Sequence, residues 1–254
     1  MFGLMTGKKT IVTGAAQGIG KAVALIYAQN GADVMLCDVN EEKVQSAANE
    51  IAEATGRACI GMKMDITSSA DVNAVVQAAV NAFGGVDVLC NCAGILIHAK
   101  MVDMSEDAWD KIFAVNMKGA FLITQSAAKV MIAQNSGKIV HVSSCSGKKP
   151  TYEESGYCAT KSALNGFIKV CALELGVHNI NVNAICPGAT DTEMVRKTFI
   201  TSPEIEQEWI DKTALKRLGT VEDQAKAALF LSSTLADHIT GEAIIVSAGE
   251  MMTQ

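Results

Sequence analysis

Short apolar runs alternate along the chain with longer segments in which apolar residues recur at helical spacing. The predicted strands are 10–12, 33–37, 58–64, 86–90, 138–142, 180–185 and 243–246, and the predicted helices are 18–29, 41–54, 69–82, 105–134, 156–175 and 221–232. Such regular alternation is typical of βαβ units. The pattern therefore predicts an α/β fold in which helices cover both faces of a parallel sheet.

Two segments interrupt this alternation. Residues 148–155 separate the fifth strand from its helix, and residues 187–220 form a long excursion before the last helix. The excursion is rich in charge and carries Met194, Phe199 and Trp209, which favours a substrate lid at about 188–219. A surface subdomain that packs its own apolar residues is the alternative. No linker, repeat or low-complexity stretch divides the chain, so we expect one domain over 1–254.

Composition and charge exclude several classes of protein. The net charge is −6 and the longest basic cluster is Lys148-Lys149, which argues against nucleic acid or an anionic membrane as a partner. No apolar run reaches the roughly 18 residues of a membrane helix, and residues 1–9 lack the apolar core of a secretion signal. The eight cysteines contain no C-x-x-C pair, which favours a reduced, cytoplasmic protein. The four histidines have no metal-ligand spacing, so we expect no metal site.

A glycine-rich turn, T-G-A-A-Q-G-I-G at 13–20, joins the first predicted strand to the first predicted helix. Glycines let backbone N–H groups approach a pyrophosphate at the positive end of the helix dipole. An ordinary strand-to-helix connection is the alternative, and the place at the first βα junction favours a dinucleotide. The candidate cofactor residues of this turn are Gly14, Gln17, Gly18, Ile19 and Gly20.

Asp38 ends the second predicted strand, 18 residues after Gly20. A carboxylate there accepts hydrogen bonds from the adenosine ribose of NAD and repels the 2′-phosphate of NADP. Positions 17 and 39 are Gln and Val, so neither supplies a cation for that phosphate. These residues predict NAD as the cofactor, and the alternative is that Asp38 only starts a turn with Asn40.

The ends of the third and fourth predicted strands add further cofactor candidates. Asp65 can meet the adenine edge or serve the turn before Ser68. The run N-C-A-G at 91–94 offers small residues against which a cofactor can lie, and a plain strand-end turn is the alternative. The candidates from these two segments are Asp65, Ile66, Asn91, Ala93 and Gly94.

Three side chains suit proton transfer to and from a carbonyl oxygen. Tyr157 and Lys161 lie four residues apart on a predicted helix and share a face, and Ser144 lies thirteen residues before Tyr157. A lysine cation favours the phenolate of a tyrosine, whose pKa is otherwise about 10. Ser144 can hydrogen-bond the substrate oxygen, and Asn116, a poor helix former, can order water beside Lys161. The group predicts hydride transfer between a nicotinamide and a secondary alcohol or ketone.

In ordered combination these motifs resemble the short-chain dehydrogenase/reductase family over essentially the whole chain. The motifs are T-G-x-x-x-G-I-G at 13–20, N-C-A-G at 91–94, Asn116, S-S at 143–144, Y-x-x-x-K at 157–161, P-G-x-x-x-T at 187–192 and I-T-G at 239–241. The resemblance implies a Rossmann-type, doubly wound, seven-stranded parallel sheet in the order 3-2-1-4-5-6-7 and a homotetramer or dimer. It also implies that Asn116, Ser144, Tyr157 and Lys161 are catalytic.

The same resemblance implies contacts to the nicotinamide half of the cofactor. Thr192 would contact the carboxamide, and residues 185–188 would flank the ring. The cofactor candidates of this half are Tyr157, Lys161, Pro187, Gly188, Thr190 and Thr192. Two positions depart from the family pattern, since Cys92 replaces an Asn and Val246-Ser247-Ala248-Gly249 stands where the family has V-D-G-G.

Residues around Tyr157 bear on the substrate. Glu154 can bind hydroxyls, Lys148 can bind an acidic substituent, and His98 can reach the pocket from the loop after the fourth strand, although each can equally be solvated. Together with I-D-K-x-x-L-K-R at 210–217, which resembles sugar-alcohol members of the family, they favour a small polar or polyol substrate.

Three other functions remain open from the sequence. A β-ketoacyl-carrier-protein reductase shares nearly every motif, but such enzymes usually use NADPH and carry basic residues where Gln17 and Asp38 stand. A hydroxysteroid dehydrogenase suits the apolar tail at Met251-Met252. A non-catalytic NAD-binding sensor is the non-enzyme alternative, and the intact set of Ser144, Tyr157 and Lys161 argues against it.

Overall fold

In residues 3–252, which the computed structural model describes, seven strands form one sheet in the order β3-β2-β1-β4-β5-β6-β7. The strands are β1 (Lys9–Thr13), β2 (Asp33–Asp38), β3 (Cys59–Lys63), β4 (Val88–Asn91), β5 (Gly137–Val142), β6 (Ile180–Pro187) and β7 (Ala243–Val246). Every neighbouring pair is parallel. The predicted parallel sheet and the implied strand order are both confirmed.

Helices connect the strands and cover both faces of the sheet. They are α1 (Gly18–Gln29), α2 (Glu41–Thr55), α3 (Ser69–Phe83), α4 (Glu106–Phe113), α5 (Gly119–Gln134), α6 (Ser155–Leu175), α7 (Glu193–Thr198), α8 (Pro203–Asp211) and α9 (Val221–Ser232). Side-chain caps set most of their starts. Thr220 and Asp223, for example, form a reciprocal capping box at the start of α9. No helix within residues 3–252 is long and apolar enough to cross a membrane.

The alternation of side chains along the strands builds two cores. Val12, Val34 and Leu36 are buried in one cluster with α1, α2 and α9, whereas their neighbours Ile11 and Met35 are buried on the opposite face with α3, α5 and α6. Successive strand residues point to opposite faces, and here both faces are covered. This is why the strands read as continuous apolar runs rather than as an alternation of apolar and polar residues.

One predicted helix differs from the structure. The segment predicted as a single helix over 105–134 consists of α4, five residues in π-helical geometry (Ala114–Lys118) and α5. Asn116 lies in the π-helical turn, and its amide is hydrogen-bonded to the backbone of Ile95 in the loop that follows β4. Such local widening of a helix occurs frequently at functional sites.

The excursion between β6 and α9 contains the two short helices α7 and α8. Ala189, Ile200 and Leu218 form a small cluster of their own, against which Trp209 and Val195 pack. This packing matches the subdomain alternative. The excursion also borders the cavity described below, so its position suits a lid, which stays a prediction.

Candidate active site

A cavity of about 600 Å³ opens at the carboxyl ends of the parallel strands. Its wall is formed by the glycine-rich turn, the ends of β2, β4, β5 and β6, the start of α6, the excursion and the C-terminal tail. In open α/β sheets ligands bind at this edge, where the strand order reverses. In this sheet the order reverses between β1 and β4, next to the glycine-rich turn.

The glycine-rich turn has the shape that a pyrophosphate requires. Gly14 and Gly18 have φ of 62° and 58°, which side-chain-bearing residues rarely adopt. A Cβ on Gly20 would lie 2.1 Å from the carbonyl oxygen of Gly14, so only glycine lets the turn pack onto α1. No side chain caps the start of α1, and no acidic residue occupies its first turn. The first N–H groups of α1 therefore remain available to an anion, and these residues fit a dinucleotide.

Asp38 lines the cavity at the end of β2. Its Oδ2 accepts a hydrogen bond of 3.1 Å from the Ala16 backbone N–H, and its Oδ1 accepts one of 3.0 Å from the Asn40 backbone N–H. The turn with Asn40, the alternative expectation for Asp38, is present and fixes the carboxylate at the cavity wall, whereas its contact with a ribose stays a prediction. Each carboxylate oxygen keeps a further lone pair for a ribose hydroxyl.

Lys43 places a cation beside this end of the cavity, and inspection of positions 17 and 39 alone did not find it. Lys43 Nζ donates a hydrogen bond of 3.3 Å to Gln17 Oε1. Lys43 occupies the first turn of α2, directly after the strand that ends at Asp38. That position in the sequence is the signal that could have indicated a basic residue near the adenosine ribose.

Three predicted cofactor residues do not reach the cavity wall. Asp65 Oδ1 accepts hydrogen bonds from the N–H and the hydroxyl of Thr67, as its turn alternative expected. Ile66 is buried against Gly119. The side chain of Asn91 is hydrogen-bonded to Thr13 and His141 behind the wall. From this region Ala93 and Gly94 line the cavity, as does Cys92.

Ser144, Tyr157 and Lys161 all line the cavity. Ser144 follows the end of β5, and Tyr157 and Lys161 lie in the first and second turns of α6. Lys161 Nζ lies 5.5 Å from the centroid of the Tyr157 ring and donates a hydrogen bond of 2.8 Å to the Val142 carbonyl. Ser144 Oγ accepts a hydrogen bond from the Ser146 N–H. The predicted sharing of a helix face by Tyr157 and Lys161 thus places both at one site.

Burial dominates the electrostatics of this group. It raises the pKa of Tyr157 well above its ordinary value, and a hydrogen bond with Ser144 lowers that pKa in part. Burial also lowers the pKa of Lys161 to about 8. Desolvation thus sets the direction of the shift among the protein's own residues, and the phenolate that a neighbouring lysine cation favours stays a prediction.

The Asn116 side chain connects the loop after β4 to α6 through hydrogen bonds. Its Oδ1 accepts a hydrogen bond of 2.8 Å from the Ile95 N–H, and its Nδ2 donates to the Ile95 carbonyl and to Thr160 Oγ1. Both amide hydrogens are thereby used within the protein. These bonds tie the loop after β4 to α6, close to Lys161, and the predicted ordering of water stays a prediction.

Pro187, Gly188, Thr190 and Thr192 all line the cavity after β6. Thr190 Oγ1 is held from behind by Gln224, whose Nε2 donates a hydrogen bond of 3.1 Å. Glu250, from the C-terminal tail, lines the same part of the wall and accepts a hydrogen bond from the Ala189 N–H through Oε2. Sequence inspection missed both Gln224 and Glu250, because they reach the site from segments distant in the chain.

The part of the cavity between the start of α6, the excursion and the C-terminal tail, which we call the substrate half, differs in detail from the sequence prediction. Glu154 lines the wall, whereas the basic side chains there are Lys149 and Lys212 rather than Lys148. His98 lies behind the wall, with its ring centroid 5.4 Å from that of Phe199. Apolar wall residues of this half include Leu96, Met194, Phe199, Trp209 and Met251.

Comparison with known proteins places this site in a family. Residues 14–250 match a family model described as Enoyl-(Acyl carrier protein) reductase. The chain is 37% identical to 3-oxoacyl-(acyl-carrier-protein) reductase FabG of Aquifex aeolicus, over 96% of this chain and 98% of that protein. It is 36% identical to an NAD-dependent glycerol dehydrogenase of Listeria innocua, over 96% and 94%. The crystal structure of a short-chain type dehydrogenase/reductase from Mycobacterium marinum superposes with a TM-score of 0.92 at 32% identity, over 99% and 98% of the two chains.

Proposed function

The chain is an oxidoreductase of the short-chain dehydrogenase/reductase family, and from this premise we propose that it interconverts a secondary alcohol and a ketone with NAD(H). The substrate is a small polar or polyol compound. The observation that carries the proposal is the convergence of Ser144, Tyr157 and Lys161 on one cavity. The same cavity begins at an uncapped helix start suited to a pyrophosphate.

In this proposal the cofactor accepts or supplies the hydride, and the protein handles the proton. Ser144 donates a hydrogen bond to the substrate oxygen. In ketone reduction Tyr157 donates its phenolic proton to that oxygen, which suits a phenol kept protonated by burial. In alcohol oxidation the proton returns to the Tyr157 oxygen, and the Lys161 ammonium favours the deprotonated phenol from which that step starts.

NAD is the proposed cofactor because of the Asp38 carboxylate at the adenosine end of the cavity. The glycerol dehydrogenase relative, which is named as NAD-dependent, supports both the cofactor and a polyol substrate. We also propose that Asn91, Asp65 and Ile66 contribute to cofactor binding by supporting, from behind, the residues that line the cavity. The free thiols of the eight cysteines support a cytoplasmic location for the enzyme.

A 3-oxoacyl-(acyl-carrier-protein) reductase is the second candidate. It is favoured by the similarity to the Aquifex aeolicus protein and by Lys43, a cation near the place of an NADPH 2′-phosphate. The apolar side chains Phe199, Trp209 and Met251 in the substrate half could also accommodate an acyl chain.

Turnover of four substrate classes, each with NAD(H) and NADP(H), tests the proposal: polyols, hydroxy acids, hydroxysteroids and β-ketoacyl thioesters. We expect NAD-linked oxidation of a polyol. Tyr157→Phe should lower kcat by about 100-fold or more, while the variant should still bind NADH, as followed by fluorescence. Tyr27→Phe is the matched control, because Tyr27 is buried against Ser232 away from the cavity. Preference for NADPH and a β-ketoacyl thioester would establish the second candidate instead.

A further inference from the structure

Glu154 places a buried carboxylate at the wall of the substrate half of the cavity. The residue is 3% exposed, lines the cavity and directly precedes α6, three residues before Tyr157. Among residues 3–252 its Oε2 atom has no hydrogen-bond partner. Buried polar atoms are nearly always paired, and an unpaired buried carboxylate is costly. A partner that the protein does not supply is therefore expected at this carboxylate.

The backbone around Glu154 is held by hydrogen bonds on both sides of the residue. Glu154 pairs with Ala99 in a parallel bridge, and the Ala99 N–H donates a hydrogen bond of 2.8 Å to the carbonyl of Glu153. The Glu154 carbonyl accepts a further bond of 2.8 Å from the Cys158 N–H, in the first turn of α6. The side chain thus starts from a backbone that is fixed on both sides.

The neighbouring side chains do not neutralise Glu154. A hydrogen bond with Ser146 and the charge of His98 lower its pKa, but burial has the larger effect and raises it. His98 Nε2 lies 3.5 Å from Glu153 Oε2, so its ion pair is with the adjacent residue. Tyr157, the other titratable group that faces Glu154, is a phenol whose own pKa Glu154 raises. No cation holds the Glu154 carboxylate within the part of the chain that the structure describes.

We propose that Glu154 determines specificity by accepting a hydrogen bond from a second substrate hydroxyl, on the carbon next to the carbinol that reacts. The substrate is thereby a vicinal diol or polyol. A neutral hydroxyl that enters from the cavity supplies a hydrogen-bond donor to this carboxylate, whereas an anionic substituent would be repelled. The adjacent carbons of a 3-oxoacyl thioester carry no O–H or N–H donor. This inference rests on the proposed function, because Tyr157 and Ser144 must hold the reacting oxygen.

The test compares two alcohols that differ by one hydroxyl, butane-2,3-diol and butan-2-ol. With NAD, the wild-type enzyme should favour the diol in kcat/KM. In Glu154→Ala this preference should fall about ten- to a hundredfold, the value of a hydrogen bond to a charged acceptor, and Glu154→Gln should retain part of it. Because Glu154 also raises the pKa of Tyr157, butan-2-ol is the internal reference, and the preference is the ratio of the two kcat/KM values in each variant. Glu153→Gln, the same chemical change one residue away and outside the cavity wall, should keep the wild-type preference.

A binding measurement separates this inference from the proposed function. Calorimetry of the two alcohols with Tyr157→Phe and with Tyr157→Phe/Glu154→Ala, both saturated with NADH, reports recognition without turnover. Tighter diol binding that is lost with Glu154 supports the inference even if no alcohol is oxidised. Equal binding of the two alcohols, failure of the diol to bind, or an equal loss for both alcohols overturns it. Oxidation of alcohols by the wild type would still support the proposed function.

Discussion

His141 shows how a single residue beneath the site depends on its surroundings. It is fully buried in β5, with Nδ1 3.3 Å from Asn91 Nδ2 and Nε2 3.1 Å from Thr124 Oγ1. The amide nitrogen can only donate, so Nδ1 accepts and Nε2 carries the hydrogen of a neutral ring. Burial lowers the pKa of His141 to about 3, with a further effect from Lys161.

This histidine should make stability depend on pH. Its pKa in the folded state lies below the ordinary value of about 6.5, so its contribution is complete above pH 6.5 and is lost as the pH falls toward 3. In that range the free energy of unfolding of the wild type should fall by up to about 1.4 kcal/mol per pH unit more than that of His141→Gln. Urea unfolding at pH 7, 6 and 5 measures the slope. His238→Gln, which alters an exposed histidine, should keep the wild-type slope, and an unchanged slope in His141→Gln would contradict the argument.

Two opposite charges at the adenosine end should set the choice of cofactor. Asp38→Asn keeps the shape of the side chain but removes the charge that repels a 2′-phosphate, so the ratio of kcat/KM for NAD to that for NADP should fall about ten- to a hundredfold. Lys43→Gln should raise this ratio, by a smaller factor because Lys43 is exposed. Steady-state kinetics with both cofactors measure the ratios. A wild type that prefers NADP would overturn the assignment of Asp38.

At the scale of elements, the sequence predicted what local periodicity determines. Each strand was located to within a few residues, as was each predicted helix except the one over 105–134. The glycine-rich turn and the 157–161 spacing pointed to residues that line the cavity. The π-helical turn was missed because it accompanies hydrogen bonds between Asn116 and Ile95, and these two residues are distant from each other in the sequence. Gln224 and Glu250 were missed for the same reason, since only the tertiary fold brings them to the cavity. No short-range pattern distinguishes Lys148 from Lys149 at the wall.

Phe199 makes two aromatic contacts, one within the excursion that carries α7 and α8 and one that connects the excursion to the rest of the protein. The Phe199 ring lies 5.4 Å from that of His98, in the loop after β4, and 5.6 Å from that of Trp209 in α8. If the excursion is a lid, Phe199→Ala should raise the KM of the substrate about tenfold, because each aromatic pair contributes about 0.5–1.5 kcal/mol, and should leave the affinity for NADH nearly unchanged. Steady-state kinetics and Trp209 fluorescence in a Trp109→Phe background check this. An equal loss of NADH binding would indicate general damage to the site.

At the scale of the whole molecule, the sheet binds the chain into one unit. The first helix α1 packs against the last helix α9, and the buried hydroxyl of Tyr27 lies 2.5 Å from Ser232 Oγ. Both cores extend along the shared sheet. Domain boundaries fall where few contacts cross, and this arrangement supports our proposal of a single domain over 1–254.

The outer faces of α5 and α6 leave a large apolar surface uncovered. Phe121 is 41% exposed, Val170 52% and Leu173 80%. Phe121 also lines a shallow groove with Phe113, Met117 and Phe167, and Asp110 and Lys118 are the charged residues of its wall. Contiguous apolar surfaces of this kind mark sites of association. We propose that a second copy of the chain covers this surface in a homotetramer or a dimer.

Charge placed on this surface should dissociate the assembly. An unpaired carboxylate in an apolar interface costs several kcal/mol, so Val170→Glu and Leu173→Glu together should weaken association about a hundredfold or more. Sedimentation velocity at micromolar concentration should then show a species half the wild-type size or smaller. Val102→Glu, an equally polar change on the exposed turn after β4, should sediment like the wild type. If the wild type is itself a monomer, the apolar surface of α5 and α6 serves another partner and the proposed assembly is wrong.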